Sequence, residues 1–300
     1  MDDSGAYEEY YEDEEVEEVE DVIDDVPMFI SNRVYLGSID AAANARALEA
    51  KNIRFVLSLL EPEDKLPTPA VAHLRVPMAD TLDEPLLKKL PLLLHSLNHF
   101  MAADDGNVLV HCVAGRSRSA SVVIAWVMTT QQISLDAAFH RVLMARPWIS
   151  PNETFLHHLR VFEQTLAVPM PAAAREEIAA LGDILPRLHF HDSFVAAITG
   201  QRKVVTVRLD SDIDDDANSD LQYVLPLATV RAMTTTGGAT AAFALLQVTS
   251  VDTILVRDLS EAHAQQEGLA SVAELLTTLR RFYPAMTQTS ACRVVTFVSS

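Results

Sequence analysis

The sequence predicts two units in series, an α/β unit built on strand–helix alternation and a smaller α+β unit behind it. Three observations predict this. The chain has 300 residues, roughly twice an average domain, and 49% hydrophobic content, enough apolar mass for two cores. From Val34 onward short β-branched runs alternate with helically spaced stretches, ending in a strand that feeds a glycine-containing loop and a helix. After residue 183 strand signals continue, but the alternation stops.

Residues 1–25 hold 14 Asp or Glu and no Lys or Arg. Such a run repels itself and is too poor in apolar groups to offset the entropy of ordering, so a disordered tail is expected. The first unit spans residues 26–167. VYLG (Val34 to Gly37) and IRFVLSLL (Ile53 to Leu60) read as buried strands with the helical ANARALEAK between them. HLRVPM (His73 to Met78) is the next strand, Pro85 to Met101 a helix, NVLVH (Asn107 to His111) a strand, and Ser119 to Gln131 a helix. Ser134 and Asn152 are N-caps for two more helices, SLDAAFHRVLMAR and NETFLHHLRVFEQTL. Residues 168–183, with two prolines before an alanine-rich stretch, are predicted as a semi-rigid linker. In residues 184–300, KVVTVRL (Lys203 to Leu209), AAFALLQVTSV (Ala241 to Val251) and RVVTFV (Arg293 to Val298) read as strands and Ser271 to Phe282 as a helix. That make-up suits a compact α+β domain or a partly closed barrel.

The formal net charge is -19, yet residues 26–300 carry only 28 acids against 23 bases. The charge sits in the tail, which excludes long-range attraction to DNA but allows a local basic groove. Two cysteines, Cys112 and Cys292, are too few for a disulfide framework and point to a reducing, cytoplasmic or nuclear compartment. The acidic start is the opposite of a signal or transit peptide. The most apolar helical stretch is interrupted by Lys88, Lys89, His95, Asn98 and His99, so no membrane association is expected.

HCVAGRSRS, His111 to Ser119, is the most specific signal. With this chain's composition, H-C-x-x-G-x-x-R arises by chance in roughly one chain in ten thousand. A strand–loop–helix turns loop N–H groups and a helix N-terminus toward one point, a cradle for a phosphate dianion lined by Val113, Ala114, Gly115, Arg116, Ser117 and Arg118. The same field, with Arg118, favours the nucleophilic thiolate of Cys112. Arg118 can present its planar fork to two phosphoryl oxygens, and the Ser119 hydroxyl can steady the Cys112 sulfur as it leaves. The departing oxygen needs an acid. Asp80, on the loop after HLRVPM, is the best candidate, with Asp83 and Glu84 as competitors. Arg116 is a second cation, either solvated or selective for a more acidic substrate such as a phosphoinositide.

Residues 28–166 resemble the dual-specificity branch of the cysteine-based protein tyrosine phosphatases. The resemblance lies in YLGS (Tyr35 to Ser38), the VPMAD stretch, HCVAGRSRSAS, IAWVM (Ile124 to Met128) and SPNETF (Ser150 to Phe155). It implies a mostly parallel central sheet flanked by helices. It also implies hydrolysis of phosphotyrosine and phosphoserine or phosphothreonine in a phosphorylated protein substrate, through a cysteinyl-phosphate on Cys112. Arg118 then binds phosphate, Asp80 is the acid, Ser119 supplies the hydroxyl, and no cofactor or metal is used. Kinase-directed relatives carry a basic docking segment ahead of the catalytic domain; here that segment is acidic, which disfavours a kinase as substrate.

Other motifs fail. Asp210, Asp212 and Asp214 open like a calcium loop, but Asp215 stands where glycine is needed and Leu221 where glutamate is needed. The pairs His189 with His191 and His157 with His158 lack partners at zinc spacing. The C-terminal unit resembles the ASCH family, small PUA-like β-barrels with helices. The resemblance lies in FVAAITGQRKVVTVRL (Phe194 to Leu209), LLQVTSV (Leu245 to Val251), LSEAHAQQEGLASVAELLTTLRRFYP (Leu259 to Pro284) and VVTFV (Val294 to Val298). It implies a site of Lys203, Thr206, Arg208 and Glu267 that binds RNA or a modified nucleoside. Alternatives are an RNA-associated adaptor, or an amidohydrolase of acetylcytidine in which Lys203 activates Thr206 and Glu267 serves the leaving amine. The two residues between Gly200 and Lys203, one more than in those hydrolases, disfavour hydrolysis.

Overall fold

The computed structural model describes residues 24–66, 71–181, 184–213 and 216–299. Residues 1–23 of the expected tail, and Asp214 and Asp215 of the aspartate loop, lie outside the described residues. Asp24 and Asp25, at the end of the acidic run, are bound: the Asp24 carbonyl accepts from Ser38 Oγ, and Asn44 Nδ2 donates to Asp25 Oδ2 at 3.1 Å. The ordered first unit therefore begins before residue 26.

In that unit β1 (Met28–Ser31) and β2 (Val34–Gly37) form a hairpin whose turn residues, Asn32 and Arg33, both have positive φ (38° and 69°), the geometry that matches strand twist. They join β3 (Ile53–Leu60), β4 (Ala72–Pro77) and β5 (Asn107–His111) in a five-stranded sheet of order β1-β2-β5-β3-β4. All pairings but β1 with β2 are parallel. The central strand, β5, buries both faces: Val108 and Val110 enter the main core, Leu109 a smaller cluster with Leu48 and Val56 on the other side. Its neighbour in sequence, α4 (Arg118–Gln131), is buried from Arg118 to Met128, which places the intervening loop at the end of the most deeply set strand and helix.

Around the sheet stand α1 (Ile39–Ala43), α2 (Ala45–Ala50), α3 (Leu86–Ala103), α5 (Leu135–Ala145) and α6 (Glu153–Thr165). The helix expected in ANARALEAK forms as α2; Asn44, whose side chain accepts from Ala47 N, caps it and separates it from α1, a preceding helix that the sequence pattern does not signal. Ser134 and Asn152 cap α5 and α6 through Ala137 N and Phe155 N. The expected linker holds a packed helix, α7 (Ala172–Ala180), with Met170, Ala174 and Ile178 buried in the core of the first unit.

The second unit comprises β6 (Arg187–Phe190), α8 (Val195–Thr199), β7 (Val205–Leu209), β8 (Thr229–Thr236), β9 (Ala239–Leu255), α9 (Glu261–Gln266), α10 (Val272–Phe282) and β10 (Ala291–Ser299). Its sheet runs β6-β8-β9-β10-β7, antiparallel apart from β6 with β8. The expected ASCH-like barrel is not closed, because the end strands β6 and β7 do not pair in this sheet. Arg208 Nη2 on β7 instead donates to the His189 carbonyl on β6 at 2.6 Å, so a side chain occupies the place of a backbone ladder. The result is a half-barrel with apolar clusters on both faces.

Candidate active site

The loop from Cys112 to Arg118 is held by its carbonyls. His111 Nδ1 lies 3.0 Å from the Cys112 carbonyl, Ile39 N donates to Val113 O at 2.8 Å, and Ser150 N donates to Arg116 O at 2.8 Å. Arg146 holds the two carbonyls between them, Nη2 to Ala114 O at 3.1 Å and Nε to Gly115 O at 2.9 Å. A peptide group is planar and trans, so fastening five successive C=O groups outward aims the N–H groups of Val113, Ala114, Gly115, Arg116 and Ser117 the other way, into the loop. Gly115 has φ 63°, and a Cβ there would sit 2.3 Å from the Gly37 carbonyl oxygen, so glycine is required.

Cys112 is buried at the base of this cradle, and Ser119 Oγ donates to its Sγ at 3.2 Å. Arg118 is buried with Nη1 on the Met78 carbonyl at 3.2 Å, while its buried Nε has no hydrogen-bond partner among the described residues, a donor that an incoming oxyanion would satisfy. Two carboxylates flank it: Asp80 Oδ2 lies 3.7 Å from Nε, and Asp64 Oδ2 3.6 Å from Nη1. Asp80 is fixed by Ser117 Oγ at 2.7 Å and Asn152 Nδ2 at 2.9 Å, both donating to Oδ1. Its competitors are engaged elsewhere. Glu84 accepts from Ala79 N at 3.0 Å and pairs with Lys89 at 2.5 Å, bracing the loop that carries Asp80. Asp83 is exposed and held below the usual carboxylate range by its hydrogen bond from Thr81.

Beneath the loop, Ser58 Oγ lies 2.5 Å from His111 Nε2 and 2.8 Å from His73 Nε2. Burial pushes His111 down to about 4, so the ring is neutral at neutral pH. Its proton then sits on Nδ1, donating to the Cys112 carbonyl, and Nε2 accepts from Ser58. Arg116 is exposed with Nε on the Trp148 carbonyl at 3.0 Å, so it lies folded toward the 147–150 turn. The other cysteine is inert by contrast: burial, then Asp210 and Asp258, push the Cys292 thiol up to about 11.

Asp64, Arg146 and the anchoring roles of Ser117 and Asn152 are absent from the sequence reading. Asn152 reads there as a helix cap, which it also is; its Nδ2 carries the second role.

Lys203, Thr206, Arg208 and Glu267 come together in the second unit, on a cavity of about 580 Å³ that His189, Phe194, Phe282 and Tyr283 also line. Lys203 pairs with the Glu267 carboxylate and lies 4.7 Å from the Phe194 ring centroid. Burial, with the Arg208 charge second, pulls its ammonium well below the ordinary lysine range. Glu267 Oε1 also accepts from Val207 N at 2.6 Å. Thr206 Oγ1 accepts from Arg208 Nη1 at 3.0 Å, and the guanidinium lies 5.1 Å from the Phe190 ring centroid. Lys203 thus reaches Glu267, and Arg208 engages the Thr206 hydroxyl.

Among the described residues no cluster of three His, Cys, Asp or Glu is arranged to hold a metal, and no helix is long and apolar enough to cross a membrane.

Residues 34–165 match the family model for the dual specificity phosphatase catalytic domain. Human dual specificity protein phosphatase 16 is 37% identical over 143 residues, 47% of this chain but only 21% of that protein's length. Dual specificity protein phosphatase 1 of Arabidopsis thaliana is 30% identical, over 48% of this chain and 73% of its own. A crystal structure of human DUSP28 aligns at 32% identity over 47% of this chain and 94% of that one, with a TM-score of 0.44. Mouse dual specificity phosphatase 28 is 35% identical over 46% of this chain and 83% of its own length, and on that breadth of match the chain belongs to the dual specificity phosphatase family.

Proposed function

We propose that the protein hydrolyses phosphotyrosine and phosphoserine or phosphothreonine esters in protein substrates through a cysteinyl-phosphate. One observation carries this: the buried Cys112 opens a loop whose five carbonyls, from Cys112 to Arg116, are all engaged by surrounding groups, which turns the following N–H groups into the loop beside the buried Arg118. The Cys112 thiolate attacks phosphorus, the P–O bond to the leaving group breaks, and Asp80 protonates the departing oxygen. Water then attacks the thiophosphate, giving its proton to Asp80; the S–P bond breaks, and Ser119 donates to the released thiolate. Loop N–H groups and Arg118 carry the equatorial charge throughout, so the chain's own groups supply the electrostatic stabilisation. Replacement of Cys112 by Ser is expected to abolish turnover of an aryl phosphate while phosphate-ester binding persists. Retained turnover would rule out thiol catalysis.

For the second unit the reading is a binding site for RNA or a modified nucleoside, supported by the aromatic and cationic lining of the Lys203 cavity. Binding is favoured over acetylcytidine hydrolysis, because a base must reach the nucleophile it activates, and Lys203 is committed to Glu267. In a titration of the full chain with a short single-stranded RNA and with acetylcytidine, Arg208→Ala is expected to weaken binding about tenfold, the loss of one charge-assisted hydrogen bond. Acetate release abolished by Thr206→Ala, or no binding of either probe, would sink the binding reading.

A further inference from the structure

We propose that Asp24, acting through Arg146, is a positioning residue for the phosphate-binding loop; the inference rests on the phosphatase reading of that loop. Arg146, at the end of α5, has no solvent exposure. Its Nε and Nη2 hold the Gly115 and Ala114 carbonyls, and its remaining polar contacts go to Asp24, with Nη1 to Oδ1 at 3.1 Å and Nη2 to Oδ2. The Trp148 ring lies 4.9 Å from the guanidinium carbon. A buried cation without a counter-charge is strongly disfavoured, and Asp24 is the carboxylate paired with this one among the described residues.

The coupling to the loop is tight. A Cβ on Gly115 would lie 2.6 Å from Arg146 Nη2, so the loop backbone rests directly on the guanidinium. Any displacement of Arg146 passes to the two peptides it holds, and with them to the N–H groups of Gly115 and Arg116. Asp24 is itself placed by backbone: its carbonyl accepts from Ser38 Oγ, the N-cap of α1, next to the Gly37 that the loop touches. The fork of Arg146 is therefore held at one end by Asp24 and holds the anion cradle at the other. The acidic run ends in a residue of the site's support, and a chain starting at residue 26 would lack it.

In the full chain, Asp24→Asn keeps the side-chain size and removes the charge. Its kcat/KM for an aryl phosphate is expected to fall roughly 10- to 100-fold, the scale of a small misplacement of a binding group. The inhibition constant of inorganic phosphate should rise in parallel, and Asp24→Glu should recover most of both. A role in stability alone predicts a lowered Tm with kcat/KM and phosphate inhibition at parent values below that temperature, and this result would overturn the proposal. Should Asp24→Asn fail to fold, Arg146→Lys keeps the buried cation and its pairing with Asp24 but cannot hold two carbonyls. Unchanged phosphate affinity in that variant would equally overturn it. Calorimetric binding of inorganic phosphate separates the two levels: a parent chain that binds phosphate without hydrolysing esters sinks the phosphatase reading, while the Asp24→Asn comparison still tests the support of the loop.

Discussion

At the scale of single residues, three acids follow HLRVPM within six positions, and spacing alone does not choose among them. Their partners do. Glu84 is buried between Ala79 N and Lys89, Asp83 faces solvent, and Asp80 is drawn over the loop by Ser117 and Asn152 with one oxygen turned to Arg118. Replacing Asp80 with Ala is expected to slow hydrolysis roughly 10²–10⁴-fold, the usual contribution of a positioned acid. The loss should shrink as the leaving group becomes a better one, because a stable phenoxide departs without a proton. Turnover of a series of aryl phosphates measures this, and an equal loss across the series would assign Asp80 to loop support.

At the scale of elements, legibility in the sequence followed how locally each feature is determined. The apolar runs of β3 and β5 announce buried strands because both faces of a parallel sheet are covered. The edge strand β1, with Phe29 more than half exposed, and β8, whose TVRAMTTT is partly polar, have no such run and are missing from the sequence reading. The catalytic loop was legible because nucleophile, glycine and arginine fall within eight residues, where strand–loop–helix geometry alone brings them together. Its supports were not. Asp64, Arg146 and Asp24 reach the loop only when β3, α5 and the N-terminal segment pack around it, and nothing in the spacing of a lone charged residue signals that contact. The expected linker carries a helix for a related reason: its prolines mark a break in the chain, but Ala174 and Ile178 return it to the core.

At the scale of the whole molecule, several hydrogen bonds fasten the two units, among them Arg231 Nη2 on β8 donating to Ala179 O of α7 at 2.7 Å. Lys88 Nζ, in the first turn of α3, pairs with Asp220 at 2.5 Å and lies 5.0 Å from the Tyr223 ring centroid, while Arg187 N donates to the other Asp220 oxygen at 2.8 Å. Gln247 on β9 is buried against the end of α6: Nε2 donates to Thr165 O at 3.1 Å and Ala167 O at 2.7 Å, and Oε1 accepts from Met170 N at 2.8 Å. A residue of the second unit thus satisfies three backbone groups of the segment that closes the first. Gln247→Leu keeps a similar volume but leaves those groups buried without these partners, at a cost of about 1–3 kcal/mol for each one that water cannot reach. The expected outcome is a lowered Tm for the phosphatase unit itself, read as the temperature at which aryl phosphate turnover is lost. A variant in which the second unit loosens while that temperature stays at the parent value would mean the first unit folds without help from β9.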